Sequence, residues 1–182
     1  MKHKTNLVWM DLEMTGLDPE KERIIEIATL ITDKDLNVIA EGPNLVIHQP
    51  ARVLRAMDDW NQKHHKKSGL LDAVKASRVS IRQAERETLR FIKGYCFPKK
   101  SPLCGNSIHH DRLFLLKSMP RIHDYLHYRI VDVSSLKFLI QSWYPKDKKL
   151  KKKKSAHRAL EDIQASIDEL KHYREHYLVK KD

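Results

Sequence analysis

The sequence predicts an α/β protein whose mixed β-sheet is flanked by helices. Short apolar, extended segments joined by short polar links occupy the first 50 residues, and short links favour antiparallel pairing. A helical apolar period begins near Asp72, and strand and helix candidates then alternate to the end of the chain. Alternating helices and strands favour parallel pairing, so both kinds of pairing are expected in one sheet.

The first part of the chain predicts a three-stranded antiparallel meander. Residues 7–13 are mostly apolar and extended. The segment after them, Thr15-Gly16-Leu17-Asp18-Pro19, is typical of a turn. Residues 24–32 and 44–48 are the next strand candidates, linked by polar residues that include Asp33-Lys34-Asp35 and Gly42-Pro43.

The second part predicts two helices separated by one further strand. Ser80-Ile81-Arg82-Gln83 has the form of a capping box, and apolar residues follow at near-helical spacing at Ile81, Ala84, Thr88, Phe91 and Tyr95. Residues 103–106 predict a strand, and residues 109–118 a helix that Pro120 stops.

The last third of the chain predicts one more strand and two helices. Residues 129–133 form the strand candidate, and Ser134 is placed to cap a helix that runs through Trp143. The final helix is expected to start near Ser155 and to bury four apolar residues, Leu160, Ile163, Ile167 and Leu170.

Size and composition predict one soluble domain spanning residues 1–182. The chain is 41% hydrophobic and 32% charged, which argues against disorder and fibrous proteins. We expect no leader peptide or membrane span, because the longest apolar stretch, residues 24–31, is short and contains Glu26. Cys96 and Cys104 lack Cys-x-x-Cys spacing, which favours a reducing, cytoplasmic location.

The formal net charge of +11 and the pI near 9.6 favour a polyanionic partner such as nucleic acid. Much of the excess lies in the run Lys148-Lys149-Leu150-Lys151-Lys152-Lys153-Lys154, which could equally be a solvated loop. The charge alone therefore leaves the partner open.

Asp11 and Glu13 are two residues apart on the first predicted strand. Their side chains therefore project from the same face, about 7 Å apart along the chain. The surrounding residues are mostly apolar, where two unpaired carboxylates would be costly, and a divalent metal would compensate them. The alternative is a pair of acids at a strand end that faces water.

Two later segments add acids and a histidine. Asp111 falls in the first turn of a predicted helix after a short strand, where ordinary helix capping is the alternative role. His157 and Asp162 are five residues apart, which is about 140° of helix rotation, so they would not share a face of a regular helix. We therefore expect His157 to precede the regular turns. As a lone histidine it could equally be a surface residue.

In order and spacing, these segments resemble the DEDDh exonucleases: Asp-x-Glu on a first strand, Asp at the head of a middle helix and His-x-x-x-x-Asp at the start of a late one. From about Asn6 to Tyr177 the chain closely resembles the oligoribonuclease family. The motifs that carry this resemblance are Trp9-Met10-Asp11-Leu12-Glu13-Met14-Thr15-Gly16-Leu17, Trp60-Asn61, Ser68-Gly69-Leu70, Cys104-Gly105-Asn106-Ser107-Ile108, His127-Tyr128-Arg129, Asp132-Val133-Ser134 and Tyr173-Arg174-Glu175-His176. His109-His110 and the lysine run are departures from the family pattern.

The resemblance implies a ribonuclease H-like fold with a mixed five-stranded sheet, and a 3′→5′ exoribonuclease that degrades very short RNA, especially dinucleotides. It implies two Mg²⁺ or Mn²⁺ ions held by carboxylates, with His157 as the general base. The implied metal ligands are Asp11, Glu13, Asp111 and Asp162. It also implies a homodimer.

The resemblance further implies a site for short substrates. Leu17 and Trp60 would flank the terminal bases, although from sequence alone both could be core residues. A cap around the 5′ phosphate would be formed by His65, Ser107, Tyr128, Arg129 and Ser134, some of them reaching across a dimer.

Two other functions stay open at this point. A DEDDh proofreading exonuclease would act on DNA 3′ ends. A basic nucleic-acid-binding module without catalytic activity would bind RNA without a metal and leave it intact, but such a module does not require four acids and a histidine.

Overall fold

In the computed structural model, which describes residues 2–145 and 158–178, a mixed sheet separates two layers of helices, as the sequence predicts. The elements follow one another in the order β1 (Leu7–Met14), β2 (Ile24–Thr32), β3 (Val38–Glu41), β4 (Leu45–Val46), α1 (Ala51–Arg55), α2 (Asp59–Lys67), α3 (Leu70–Ala76), α4 (Ile81–Tyr95), β5 (Leu103–Gly105), α5 (Ile108–Ser118), α6 (Pro120–Tyr125), β6 (Ile130–Asp132), α7 (Val133–Trp143) and α8 (Ala159–His176).

Five strands form a continuous sheet in the order β3-β2-β1-β5-β6, and β4 pairs separately with β2. β1 is antiparallel to β2 and parallel to β5, and β5 is parallel to β6. β1 therefore lies where the antiparallel and parallel halves of the sheet meet. The carboxyl ends of β1, β5 and β6 lie at the same edge of the sheet.

The third strand of the meander is not the predicted one. Residues 38–41 form β3, whereas only Leu45–Val46 of the predicted strand 44–48 pair with β2. A tight turn explains the difference, since the Asp33 N–H donates to the Asn37 carbonyl and Leu36 adopts a φ of 69°. The chain returns antiparallel to β2 at once, and a mostly exposed four-residue strand carries little apolar pattern.

Each face of the sheet has its own core. The even-numbered side chains Val8, Met10 and Leu12 of β1 pack with residues of α4, α5 and α6. Trp9 packs on the other face, against Ile163 and Ile167 of α8. This two-sided burial explains why β1 and β2 contain nearly continuous apolar runs.

The predicted helix after Ser80 is confirmed. Ser80 accepts a hydrogen bond from the Gln83 N–H at 3.2 Å, the capping contact that its position predicts. Of the predicted apolar stripe, Ala84 and Thr88 are buried, and Ile81, Phe91 and Tyr95 pack partly buried against the core.

The starts of α7 and α8 differ from the prediction, and α6 was not predicted. The cap of α7 is Asp132, whose carboxylate accepts the Ser134 N–H at 2.9 Å, so Ser134 lies in the first turn and is not the cap. Pro120 follows the end of α5 and is also the first residue of α6, where its missing N–H costs nothing. α8 begins at Ala159, four residues later than expected, because Arg158 is extended with φ −134° and ψ 123°.

Helices α1–α3 were not predicted as separate elements, because they are short and offer few periodic apolar positions. They cover the β2–β4 side of the sheet through a small core of buried apolar residues: Ile25, Leu54, Met57, Leu70 and Val74. Among the described residues, no helix combines the length and the apolar character that crossing a membrane requires.

Candidate active site

Asp11 and Glu13 lie on the face of β1 that α8 covers. Their register partners on β2 are Ala28 and Glu26, and Trp9, two residues before Asp11, contacts the α8 core. The predicted shared face of the two acids is therefore present, and it points toward a helix rather than into open solvent.

Asp162 approaches the same point from the first turn of α8. Carboxylate oxygens of Asp11, Glu13 and Asp162 all lie within 4.8 Å of one another, and all three side chains are partly buried. Residues separated by about 150 positions in sequence thus converge on one pocket. The resemblance to the exonuclease family implied this convergence, which the spacing of the acids alone did not.

Asp111 approaches from the opposite side of β1. Its Oδ1 accepts the backbone N–H of Leu12 at 2.8 Å, and the residue is 5% exposed. β5 ends at Gly105, so the carboxylate takes the place of a strand acceptor just beyond the last β1–β5 pair. Asp111 is outside the group of three, but it lies close enough to Asp11 for the two charges to interact.

Asp11, Glu13 and Asp111 lie in an environment that disfavours their charged forms. Burial raises the pKa of Asp11 well above its usual range, with further upward contributions from Asp111, Glu13 and Asp162. Burial, followed by the charges of Asp162, Glu26 and Asp111, raises the pKa of Glu13 to about 8. Burial raises the pKa of Asp111 to about 7 against the opposing hydrogen bond from Leu12.

Such a cluster is suited to a divalent cation. Without one, the clustered acids repel each other, and the raised pKa values of Glu13 and Asp111 favour protons on these two carboxyls near neutral pH. Carboxylate oxygens are ligands for hard cations such as Mg²⁺ and Mn²⁺, and spacings below 5 Å allow several of them to share an ion.

His157, the predicted general base, lies outside the described residues, as does the lysine run 148–154. The extended backbone of Arg158 and the start of α8 at Ala159 agree with the expectation that the regular turns begin after residue 157.

Two charged residues beside the cluster were not singled out from the sequence. Glu26, directly opposite Glu13 on β2, is fully buried, and Arg158 forms an ion pair with it at 2.8 Å. The feature of the sequence that could have pointed to Glu26 was its charge in the middle of an otherwise apolar strand. Its partner is 132 residues away and could not be inferred from local pattern.

Leu17 and Trp60 are exposed, which removes the alternative that they are core residues. Leu17 is 63% and Trp60 57% exposed, and Trp60 stacks on His64 with ring centroids 3.9 Å apart. Leu17 follows the carboxyl end of β1, near the edge at which the acids lie.

His65 lies beside the acids. Its Nε2 is 2.9 Å from the Met14 carbonyl, so this nitrogen carries a proton, and its Nδ1 is 3.8 Å from Glu13. The predicted phosphate-cap histidine is therefore buried next to a candidate metal ligand.

The remaining predicted substrate residues fall into two groups. Ser107, with φ 50°, donates its N–H to Asp132 at 3.0 Å, and the Ser134 hydroxyl donates to the same carboxylate at 2.6 Å. Asp132 thus joins these two serines at the carboxyl ends of β5 and β6, an organising role that sequence reasoning missed.

Tyr128 and Arg129 precede β6, at the opposite end of that strand from Asp132. Tyr128 is 72% exposed, and the Arg129 guanidinium carbon lies 5.2 Å from the centroid of its ring. In the part of the chain that the structure describes, neither Tyr128 nor Arg129 hydrogen-bonds to the two serines.

The chain is similar to an exonuclease family and to individual oligoribonucleases. Residues 8–170 match the family model RNase_T, described as an exonuclease family. An oligoribonuclease from Haemophilus influenzae (strain PittGG) is 55% identical over 175 residues, which cover 96% of each chain. Oligoribonucleases from Shewanella loihica and Pseudomonas aeruginosa are 56% and 51% identical over 94% and 98% of this chain, and over 95% and 99% of their own.

The chain belongs to the oligoribonuclease family of exonucleases.

Solved structures support the fold assignment. Exonuclease I from Escherichia coli, in complex with a dA16 oligonucleotide, aligns with a TM-score of 0.70 and 16% identity over 95% of this chain. Exonuclease I from Methylocaldum szegediense aligns with a TM-score of 0.67 and 21% identity over 94% of this chain. This chain spans about two-fifths of each of these exonuclease chains, so the likeness concerns the shared ribonuclease H-like fold.

Proposed function

We propose that this protein is a 3′→5′ exoribonuclease that hydrolyses very short RNA, especially dinucleotides, to nucleoside 5′-monophosphates. The observation that carries the proposal is the convergence of Asp11, Glu13 and Asp162 within 4.8 Å, in a chain more than 50% identical to oligoribonucleases over nearly its whole length. We also propose that residues 1–182 form one exonuclease domain, of which the family match covers residues 8–170.

The acids would hold two divalent ions, Mg²⁺ or Mn²⁺. Asp11, Glu13 and Asp162 would hold one ion, and Asp11 and Asp111 would help to hold the second. When bound there, such ions would supply Lewis acidity for activating the attacking water and for stabilising the departing 3′ oxygen. The chain itself contributes the oxygen ligands, the rigid strand and helix that carry them, and partial exclusion of water.

We propose His157 as the general base that takes a proton from the attacking water. A neutral imidazole suits this task because its ordinary pKa is close to neutrality. Its place in the chain, directly before the residue that leads into α8, supports this role.

Short substrates would be selected at both ends. The exposed side chains of Leu17 and Trp60 offer apolar surface for bases, and stacking on an aromatic ring contributes about 1–3 kcal/mol per base. His65, Ser107, Arg129 and Ser134 would cap the 5′ phosphate together with Tyr128. A closed cap leaves room for two nucleotides and disfavours long strands.

A homodimer would complete the cap. Tyr128 and Arg129 lie at the far end of β6 from Asp132, so an exposed Tyr128 is better placed to reach a partner's site than its own. The helix α7, which follows β6 directly, carries exposed apolar side chains, 70% exposed for Phe138 and 67% for Trp143. Such a surface is typical of an interface.

We propose that the protein acts in the cytoplasm, because both cysteines are free thiols.

The decisive experiment incubates the purified protein with a 5′-labelled ribodinucleotide, a longer RNA and a long DNA 3′ end, with Mn²⁺ and with excess chelator. We expect metal-dependent conversion of the ribodinucleotide at a rate well above that of both long strands. The variant Asp11→Ala should lose turnover under every condition.

Two outcomes would contradict the proposal. Faster degradation of the DNA end would favour a proofreading exonuclease. RNA binding that leaves every substrate intact, with or without metal, would favour a non-catalytic binding module.

A further inference from the structure

Glu26 is a fully buried acid that the proposed chemistry does not use. It lies on β2 directly opposite Glu13, on the sheet face covered by α8. A carboxylate removed from water in this way is costly unless cations or donors compensate it.

Arg158 compensates Glu26 with a two-nitrogen contact. Its Nη2 donates to Glu26 Oε1 at 2.8 Å, and its Nε lies 3.3 Å from both carboxylate oxygens. The backbone N–H of Ala159 also donates to Glu26 Oε2, at 3.4 Å. Both oxygens are therefore engaged by the chain entering α8, which separates Glu26 from the four acids proposed to hold metal.

The same residue is joined to Asp162 through the backbone. The Arg158 carbonyl accepts the Asp162 N–H at 3.1 Å, the first hydrogen bond of α8. Arg158 has an extended backbone and caps the helix without a side-chain hydrogen bond to it, so its side chain is available to contact β2. The Glu26 contact therefore fixes the start of the helix that carries Asp162.

We propose that the Glu26–Arg158 ion pair is a positioning device that anchors the start of α8 on β2 and thereby holds Asp162 against Asp11 and Glu13. Arg158 is also the covalent neighbour of His157, the proposed base. This inference rests on the proposed metal site and adds two positioning residues to it.

The test compares two variants. Arg158→Met keeps much of the side-chain length but removes the charge, and Arg158→Lys keeps the charge but removes the guanidinium group that contacts Glu26 through two nitrogens. Arg174→Met, an exposed arginine in the last turn of α8, is the matched control. The measurements are Mn²⁺ affinity by isothermal titration calorimetry, kcat and KM on a ribodinucleotide, and the melting temperature.

We expect Arg158→Met to weaken Mn²⁺ binding by about 10–100-fold, the range typical when residues that orient metal ligands are removed. We expect kcat to fall with little change in KM. Arg158→Lys should lie between Arg158→Met and the wild type, and Arg174→Met should match the wild type. If Arg158→Met does not fold, a measurable loss of Mn²⁺ affinity in Arg158→Lys supports the anchor, and wild-type affinity contradicts it.

A purely structural ion pair gives a different result. Arg158→Met would then lower the melting temperature while Mn²⁺ affinity and kcat stayed at wild-type values, which would overturn the inference. Failure of the proposed function is distinguishable, because in that case the wild-type protein itself would neither bind Mn²⁺ at Asp11 nor hydrolyse the dinucleotide.

Discussion

At the scale of single residues, the site brings together like charges that the fold must hold in place without a cation. Asp11, Glu13 and Asp162 have oxygens within 4.8 Å of one another, and Asp111 is 5% exposed beside them. Burial and the charges of neighbouring acids raise the pKa values of Asp11 and Glu13, and burial raises that of Asp111. Without a metal ion, the clustered acids should therefore lower the free energy of unfolding of the protein. Such a cost in stability is common at functional sites.

The variant Asp111→Asn tests this trade-off. The amide oxygen can still accept the Leu12 N–H, while the negative charge is lost. We expect the metal-free variant to melt at or above the wild-type temperature, and to lose most Mn²⁺ affinity and turnover. Asp72→Asn, at an exposed acid of α3, should change none of these quantities. Full turnover in Asp111→Asn would remove this carboxylate from the proposed metal set.

The raised pKa values predict how stability depends on pH. Glu13 has a pKa of about 8 in the folded protein against an ordinary value of 4.5. Between these values the folded state retains a proton that the unfolded chain has released, so raising the pH destabilises the metal-free fold. Asp111, with a pKa of about 7, acts in the same direction.

Thermal melts of the metal-free protein should therefore show a melting temperature that falls as the pH rises from about 5 to about 8. The stabilisation by Mn²⁺ should grow over the same interval, because the metal competes with protons for the carboxylates. Glu13→Gln should flatten the metal-free pH profile. A melting temperature that rises across this interval would contradict the shifts.

His157→Ala tests the proposed base separately from the metal site. Loss of general-base help should lower kcat by about 10²–10⁴-fold, because it acts in the transition state. Mn²⁺ affinity should stay unchanged, since a base is not a ligand. His3→Ala, at an exposed histidine, serves as the control. Wild-type turnover in His157→Ala would show that another group takes the proton.

At the scale of elements, the acids are carried by the most constrained parts of the fold. β1 is paired on both sides, with β2 and β5, and α8 packs across both β1 and β2. Ligands on a central strand and on a packed helix keep their separation, which metal binding requires. Leu17, proposed to contact a base, instead lies in the connection between β1 and β2, where the chain tolerates adjustment.

In the opposite layer, α5 carries Asp111, whereas α4 supports the site only through packing. α4 is capped by Ser80, and Ser80→Ala should remove about 1 kcal/mol of stability, or about 2–4 °C in melting temperature, with kcat and Mn²⁺ affinity unchanged. Ser80→Asp, which keeps a capping oxygen, should retain the wild-type melting temperature. An effect of Ser80→Ala on kcat would show that α4 is coupled to the site.

At the scale of the whole molecule, the β6 side of the sheet combines an exposed edge with exposed apolar side chains. Ile130 of β6 is 37% exposed, and Leu113 and Leu116 of α5 are 47% and 52% exposed. An unpaired edge strand beside apolar helices is the kind of surface that a second copy would cover.

Phe138→Glu tests the proposed dimer. A charge in the centre of an apolar interface should shift the protein to monomers in sedimentation experiments and lower turnover of the dinucleotide, while Mn²⁺ affinity stays unchanged. Arg90→Glu, at an exposed position of α4 in the opposite helix layer, should remain dimeric. A wild-type protein that sediments as a monomer and is fully active would exclude a role for the partner.

Local periodicity explains most of what could be predicted from the sequence. The two-residue spacing of Asp11 and Glu13 determined their shared face, and the Ser80 cap with its apolar stripe located α4, because both patterns extend over only a few residues. The missed elements carry weak patterns: β3 is short and mostly exposed, and α1–α3 have few apolar positions. The cap of α7 was misplaced because Asp132 and Ser134 both carry side chains able to cap a helix.

The sequence by itself therefore determined the layered α/β architecture, the identity of the acids and the family to which the chain is similar. Only the tertiary structure decided that Asp162 meets Glu13, that Asp111 takes over a strand hydrogen bond, and that Glu26 is paired with an arginine 132 residues away. The physical reason is that strand and helix periods orient side chains within one element, whereas distances between elements depend on how both cores pack against the sheet.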